Sequence, residues 1–185
     1  LPPHLRWIEV DLPNIISYKE KVLSEATPVC TLERITTNLT DDSERKGLFR
    51  RLCLQGTNIL VITEGVIGYM TNDEAKNLSI DLFDASSIRY WIMDYAQGKL
   101  RKRKQTKDLR KKLKNTPIKF NCADPISFFA NDGWRVCENH YILDEAGKIG
   151  RKLPYMFPWT ILMKIFPKKL TEMANKTYGY VMFEK

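Results

Sequence analysis

An acidic residue follows one of the most apolar strands that the sequence predicts. The stretch NILVITEGVIGYMTNDEAKNL, Asn58 to Leu78, runs from the apolar segment Ile59 to Ile62 into the lone acid Glu64 and then into a small, nearly uncharged turn. A carboxylate at the end of an interior strand is costly unless something there needs it. Ligands of open α/β sheets bind beyond the carboxyl ends of the strands. Glu64 could therefore face a cationic group, such as a sulfonium or an ammonium ion.

Two further predicted strands also end in acids. Glu9 and Asp11 flank Val10 in the first strand, so both carboxylates can point to one face. A later strand ends at Asp94. A carboxylate in such a position can accept both ribose hydroxyls of a nucleoside. Each acid alone could instead cap a helix or pair with a surface lysine, but the three strand ends together favour a nucleoside site.

Other chemistry is sparse in this sequence. The four cysteines are widely scattered, with no CxxC pair, and His4 and His140 are the two possible nitrogen partners. These spacings predict reduced, structural thiols and no metal site. Tyr69 and His140 are the candidates for a general base, and the position of His140 in CENHYI also fits a histidine at a strand edge.

The elements that must position these residues alternate between strands and helices. This order predicts an α/β fold in one domain, residues 1–185, with a largely parallel sheet covered on both faces and an antiparallel edge formed by the final strands. The predicted strands are Arg6–Leu12, Val29–Ile35, Ile59–Ile62, Ile88–Asp94, WRVCENHYI and YGYVMFEK, and the predicted helices are Pro13–Ser24, SERKGLFRRLCLQ closed by Gly56, Asn72–Asp84 and a short one in DPISFFANDGW.

The net charge of +8 is concentrated in one segment. Lys99 to Lys114 carries ten Lys and Arg residues against one Asp, which predicts a solvated basic surface segment. The same segment supports an alternative function, salt-sensitive nucleic-acid binding, although no aromatic residues are interleaved to stack on bases. No apolar segment reaches the roughly 18 to 20 residues that span a bilayer, and no signal peptide is recognisable, so we expect a cytoplasmic protein with no membrane partner.

Six segments resemble one family. WIEVDLPNIISYKEKVL, TTNLTD, VITEGVIGYMT, YWIMDYA, NDGWRV and YGYVMFEK are similar to successive segments of the leucine carboxyl methyltransferase-like family of S-adenosylmethionine-dependent O-methyltransferases. The resemblance covers most of the chain and is weak in the basic segment and in Leu153 to Pro167. It implies a Rossmann-like class I methyltransferase sheet, mostly parallel with an antiparallel C-terminal strand, and S-adenosylmethionine as the cofactor.

The resemblance also implies roles for individual residues. Asp11 matches the acid that holds the cofactor ribose, with Glu9 as its neighbour. Asn38 and Leu39 match the Asp-Leu pair that receives the adenine, and Asn departs from that pattern because it has no charge; its side-chain oxygen could still accept from the adenine amino group. The residues implied at the methionine end of the cofactor and at the reaction site are Glu64, Gly65, Val66 and Tyr69.

A second departure concerns the start of the family pattern. The family begins with a helical region and a first strand that leads into a glycine-rich loop, and here no glycine precedes Gly47. The sequence therefore predicts a sheet without its central first strand and an N-terminally incomplete domain. Two interpretations stay open, an enzyme that needs upstream sequence and a catalytically inactive scaffold.

The implied reaction is transfer of a methyl group to a carboxylate or hydroxyl oxygen of a small molecule or a carboxyl group. The protein mainly has to align and desolvate the reactants, because the methyl group arrives activated. A carboxylate acceptor needs no general base, whereas a hydroxyl acceptor usually does. The aromatic residues of PYMFPWTILMKIF could form a lid over an apolar acceptor or belong to the core.

Overall fold

The computed structural model describes residues 2–96, 117–150 and 177–185, which contain six strands and five helices. A short 3-10 turn, Ile67–Tyr69, follows the third strand. The strands are β1 Arg6–Asp11, β2 Thr31–Thr36, β3 Ile59–Thr63, β4 Ile88–Ala96, β5 Arg135–Tyr141 and β6 Tyr178–Glu184, and the helices are α1 Pro13–Val22, α2 Asp42–Gln55, α3 Asn72–Asp84, α4 Pro125–Ala130 and α5 Ile142–Lys148.

The strands form two sheets within the described ranges. β1 and β2 make a parallel pair, and the other four strands are ordered β3-β4-β6-β5. β3 and β4 are parallel, and β6 is antiparallel to both of its neighbours, so β3, β4 and β5 share one direction. The predicted mixed sheet with an antiparallel last strand is confirmed.

The predicted antiparallel edge formed by the final strands is also confirmed, because β5 is the outermost strand and β6 lies beside it, antiparallel to both β5 and β4. The burial of β6 explains why it lies inside the sheet. Val181 and Phe183 are fully buried and Gly179 is also buried, so one face of β6 is apolar enough for the interior of a sheet. The residues of β5 are mostly exposed, which suits the outermost position.

An aromatic cluster fills the core of the four-stranded sheet. Trp91 of β4 packs edge-on against Phe129 of α4, with ring centroids 4.9 Å apart, and also contacts Trp134 and Phe183. The Trp91 indole donates to Thr63 Oγ1 over 2.9 Å, so its buried N–H is satisfied. The partly buried Ile8, Val10 and Ile35 of the β1–β2 pair pack against this same core.

Local capping explains where the helices begin. Pro13 occupies the first turn of α1, as predicted. The Asp41 carboxylate accepts from two amides at the start of α2, and Thr71 forms a capping box with Glu74 at the start of α3. Gly56 directly follows α2, but its φ of −158° is extended and not the left-handed conformation of a glycine cap.

Some predicted features differ or lie outside the described residues. β4 continues two residues beyond Asp94, and α5 was not predicted. The basic segment Lys99 to Lys114 and the Leu153 to Pro167 region lie outside the described ranges. All four cysteines are free. In residues 2–96, 117–150 and 177–185, none of the helices has the length and apolarity to cross a membrane.

Candidate functional site

An open cavity of about 670 Å³ lies at the carboxyl ends of β1 and β2, and we call it the β1–β2 cavity. Its volume falls in the range that small-molecule sites occupy. The position is the one that the strand-end acids predicted, because parallel strands direct their carboxyl ends to one edge of a sheet. Its lining includes Leu12, Thr36, Asn38, Glu44, Gly47 and Arg51.

Asp11 ends β1 beside this cavity, next to the lining residue Leu12. One carboxylate oxygen, Oδ1, accepts from the Leu12 amide over 2.9 Å, and Oδ2 lies 3.9 Å from Lys19 Nζ. Asp11 is partly exposed, so its carboxylate can also reach a ligand. Glu9 lies on the same strand, and its carboxylate pairs with Arg34 of β2 over 2.9 Å. This ion pair is a structural contact between the two strands.

Asn38 and Leu39 form the loop that follows β2 and borders the cavity. The Asn38 side-chain oxygen accepts from both the amide and the hydroxyl of Thr40, over 3.1 and 2.8 Å. The backbone amide of Asn38 donates to Glu44 Oε2 over 2.7 Å. Side chains therefore fix the conformation of this loop from both sides.

Arg45 fastens the same loop to helix α3. It is 1% exposed; its Nη1 donates to the Leu39 carbonyl over 2.9 Å and its Nε to Asp81 over 2.7 Å. A third bond joins Nη2 to Asp42 over 2.6 Å. A buried guanidinium with three partners is a rigid anchor, so the loop position depends on Arg45.

Gly47 leaves room for a ligand in the β1–β2 cavity. It lies in the interior of α2, where glycine is less stable than alanine by about 0.5–1 kcal/mol. A Cβ built on Gly47 meets no atom within 4 Å, so packing does not require glycine here. Because Gly47 has no side chain, the space in front of it belongs to the cavity.

A second cavity, of about 280 Å³, lies at the carboxyl ends of β3 and β4. We call it the tyrosine cavity, because its lining includes Tyr69, Tyr95, Tyr178 and Tyr180. Gly65 and Asp94 also line it, while Val66 is not among its lining residues and packs against the core.

Glu64 and Gly65 connect the strand ends around the tyrosine cavity. Glu64 Oε1 accepts from the Tyr180 hydroxyl over 3.1 Å, and the Gly65 amide donates to Asp94 Oδ1 over 2.9 Å. Gly65 has a φ of +65°, a left-handed conformation that glycine adopts without steric cost. The predicted acids Glu64 and Asp94 are thus brought to one edge of the sheet.

Two hydroxyls of the tyrosine cavity, those of Tyr95 and Tyr180, stay protonated at neutral pH. Burial raises the pKa of Tyr180, and its hydrogen bond to Glu64 raises it further. Burial also raises the pKa of Tyr95, whose hydroxyl donates to Asn139 over 2.7 Å. Both groups therefore act at neutral pH as hydrogen-bond donors and not as bases. Tyr69, at the rim, is 37% exposed and open to a ligand.

His140 lies apart from both cavities, on the exposed edge strand β5. Its ring nitrogens lie 2.9 Å from Glu138 and 3.1 Å from Glu145. The hydrogen bonds to Glu138 and then Glu145 raise the pKa of His140 above its ordinary value. His140 accordingly serves as a surface ion-pair residue in this structure and does not line a cavity.

This pairing predicts a pH effect on stability. A histidine whose pKa is raised on folding stabilises the fold fully below its unfolded pKa, and that contribution disappears as the pH rises through the folded pKa. We expect the free energy of unfolding of the chain to fall relative to that of His140→Gln between about pH 6 and pH 8. Denaturant titrations of both proteins across this range measure the difference. Parallel curves would contradict the assignment.

The sequence did not reveal the roles of Glu44, Arg45 and Tyr180. Glu44 had a detectable signal, because Asp41 and Glu44 have the spacing of a capping box. Arg45 and Tyr180 had none, since a buried guanidinium and a hydroxyl bonded across 116 residues follow from tertiary structure alone. Within the described ranges, no group of three or more His, Cys, Asp or Glu side chains is suited to hold a metal ion.

Comparison with protein families gives a match over the first part of the chain. The family model described as leucine carboxyl methyltransferase matches residues 1–83, which include the whole β1–β2 cavity. The resemblance stated above is confirmed over that range. No curated protein sequence matches the chain.

The chain is similar in fold to solved structures, and two of the three described here are methyltransferases by name. A DUF574 family protein from Streptomyces avermitilis has a TM-score of 0.59 at 11% identity, covering 99% of this chain and 66% of that protein. An O-methyltransferase family protein from Burkholderia thailandensis has a TM-score of 0.54 at 14% identity, with 99% and 44% covered. The magnesium protoporphyrin IX methyltransferase of Synechocystis PCC 6803, solved with bound SAH, has a TM-score of 0.52 at 11% identity, with 96% and 63% covered.

These likenesses establish the Rossmann-like class I methyltransferase fold for the chain. The chain spans less than half the length of the Burkholderia protein and less than two thirds of the Synechocystis protein.

Proposed function

We propose that this chain, whose first 83 residues match the leucine carboxyl methyltransferase family model, is an S-adenosylmethionine-dependent O-methyltransferase. The observation that carries the proposal is the β1–β2 cavity, which opens where the fold binds nucleosides and is left open by Gly47. The bound SAH in the Synechocystis structure supports the choice of cofactor.

The residues around the two cavities suit the two ends of this cofactor. Asp11 would hold the ribose hydroxyls, with Glu9 as a neighbour that Arg34 keeps in place. The Asn38–Leu39 loop would receive the adenine. Glu64, with Gly65 and Val66, would face the methionine end, where a carboxylate suits an ammonium or a sulfonium ion.

The chain's own residues would position an acceptor in the tyrosine cavity. S-adenosylmethionine, when bound, supplies an activated methyl group. Tyr69 is the residue we assign to contact the acceptor, since it lies exposed at the rim beside Gly65. Tyr95 and Tyr180 would shape the cavity wall and offer hydroxyl oxygens as acceptors, because their hydroxyl hydrogens are already donated to Asn139 and Glu64. Exclusion of water from the apolar wall, including Phe120, would favour the transfer.

The acceptor that we propose is a carboxylate or hydroxyl oxygen, on a small molecule or a carboxyl group. A carboxylate needs no general base, which agrees with the lack of a paired acid and base among the described residues that line the tyrosine cavity. A cytoplasmic location and the absence of a nucleic-acid partner remain predictions from the sequence.

Calorimetric titration with S-adenosylhomocysteine tests the proposal. We would titrate the 185-residue chain and, in parallel, the full reading frame that encodes it. Gly47→Leu is expected to weaken binding at least about tenfold, because the new side chain occupies the cavity. The same variant should be at least as stable as the original chain, since leucine favours a helix over glycine.

Gly47→Ala is the matched control. Its Cβ meets open space, so we expect near-normal affinity and a free energy of unfolding higher by up to about 1 kcal/mol. Failure of both the chain and the full reading frame to bind S-adenosylhomocysteine would overturn the proposed function. Equal affinity of Gly47→Leu and the original chain would show that the cofactor binds elsewhere.

A further inference from the structure

The orientation of the Asn38 amide group is fixed by its neighbour Thr40. A backbone N–H can only donate, so the Asn38 atom that lies 3.1 Å from the Thr40 amide must be the oxygen. The Thr40 hydroxyl also donates to this oxygen. The amide nitrogen, Nδ2, is therefore the group that Asn38 can offer to a ligand, and it has no bonding partner among the described residues.

Glu44 offers the opposite kind of group beside it. Its Oε2 accepts from the backbone amide of Asn38 over 2.7 Å, which places the Glu44 carboxylate next to residue 38. Its Oε1 accepts no bond from any described residue, and Glu44 is an exposed residue of the cavity lining. One hydrogen-bond donor and one charged acceptor thus belong to two lining residues of the β1–β2 cavity that are joined by a hydrogen bond.

This pair matches one edge of adenine. That edge carries an amino donor, N6, next to a ring acceptor, N1. We propose that Glu44 Oε1 accepts from the N6 amino group while Asn38 Nδ2 donates to N1. The inference rests on the proposed function, and it replaces the expectation that the Asn38 oxygen receives the amino group, because Thr40 already occupies that oxygen.

The pair also explains why an uncharged residue suits position 38. A carboxylate at this position would lie beside the Glu44 carboxylate, and two like charges that close repel each other. Asparagine avoids this repulsion, keeps the bond from Thr40 and supplies the donor that N1 requires. The negative charge that residue 38 does not carry is supplied by Glu44, in the first turn of α2.

The first test is Glu44→Gln, measured by calorimetry with S-adenosylhomocysteine. The glutamine side-chain oxygen can still accept from the backbone amide of Asn38. The glutamine side-chain nitrogen would then face the amino group of the adenine, and two hydrogen-bond donors would oppose each other. We expect affinity to fall about 10- to 100-fold. Asp73→Asn is the matched control, because it also removes one exposed acid from the first turn of a helix, and it should bind as the original chain does.

Asn38→Asp distinguishes the two possible modes of adenine recognition, because they predict opposite changes in the affinity for S-adenosylhomocysteine. Our assignment predicts weaker binding, since the donor to N1 is lost and a second carboxylate is placed beside Glu44. If the side chain of residue 38 received the amino group itself, the added charge would tighten binding. Tighter binding of Asn38→Asp, or unchanged affinity of Glu44→Gln, overturns the assignment.

An exchanged ligand completes the test. S-inosylhomocysteine carries a donor at N1 and an acceptor at position 6, the reverse of adenine. The double variant Asn38→Asp with Glu44→Gln presents the reverse pair and should bind the inosyl ligand more tightly than the adenosyl ligand, whereas the original chain prefers the adenosyl ligand. An unchanged preference overturns the assignment while leaving the proposed function in place. If the original protein binds neither ligand, the proposed function and this assignment both fall.

Discussion

Arg45→Met is expected to lower the free energy of unfolding by about 3–5 kcal/mol, the loss that follows removal of one partner from a buried ion pair. The guanidinium is 1% exposed, and the side chain of its partner Asp81 is 14% exposed, so water would compensate little of the lost pairing. The variant also leaves the Leu39 carbonyl without its donor. Denaturant titration of both proteins measures the difference.

Lys46→Met is the matched control for this substitution. Lys46 is the next residue of α2 and reaches the same Asp81, but its side chain is 55% exposed and lies 4.0 Å from the carboxylate. An exposed pair contributes less than about 1 kcal/mol, so this control should be nearly neutral. The double variant Arg45→Met with Asp81→Leu should regain part of the loss, because it removes both charges. Equal effects of Arg45→Met and Lys46→Met would contradict the buried-anchor role.

Gly179→Ala is expected to cost at least about 3 kcal/mol, the upper end of the range for overpacking. A Cβ at this position would lie 2.6 Å from the His140 carbonyl oxygen and 2.8 Å from the Tyr95 hydroxyl. The first contact is with a backbone atom of β5, so β5 and β6 would have to move apart. Tyr95 crosses over Gly179 to reach Asn139, and this crossing is what requires the glycine. Thermal and denaturant unfolding measure the cost.

Two variants test the cause of this loss. Gly147→Ala lies in α5 with open space around its Cβ, and it should be neutral or stabilising by up to about 1 kcal/mol. Tyr95→Phe combined with Gly179→Ala should recover only part of the stability, because the contact with the His140 carbonyl remains. A neutral Gly179→Ala would show that β6 can shift without loss of its pairing.

Local signals in the sequence predicted the first half of the fold well. Pro13 correctly placed the start of α1, and the predicted start of α3 at Asn72 is also correct, because proline and the Thr71 cap both act within one turn of the chain. β3 was predicted from Ile59 to Ile62 and extends by one residue, to Thr63. The strand-end positions of Glu64 and Asp11 followed from the same patterns, and the structure puts both beside cavities.

Features that depend on distant contacts could not be predicted. The place of β6 between β4 and β5 depends on burial of Val181 and Phe183 in the core that also contains Trp91, which sequence order does not encode. The orientation of the Asn38 amide depends on a hydrogen bond to Thr40, and residue type alone leaves two orientations open. The bonds of Arg45 to Asp81 likewise become visible only when α2 and α3 are packed together.

The division of the strands into a pair and a quartet has a consequence for local unfolding. A two-stranded sheet is marginally stable alone, and α1 contributes a single buried residue, Ile16, to its support. Local opening of β1, α1 and β2 should therefore require less free energy than opening of the quartet, whose aromatic cluster is fully buried. Any ligand of the β1–β2 cavity would add its binding free energy to the least stable part of the molecule. Proteolytic resistance of this unit would then follow the concentration of that ligand.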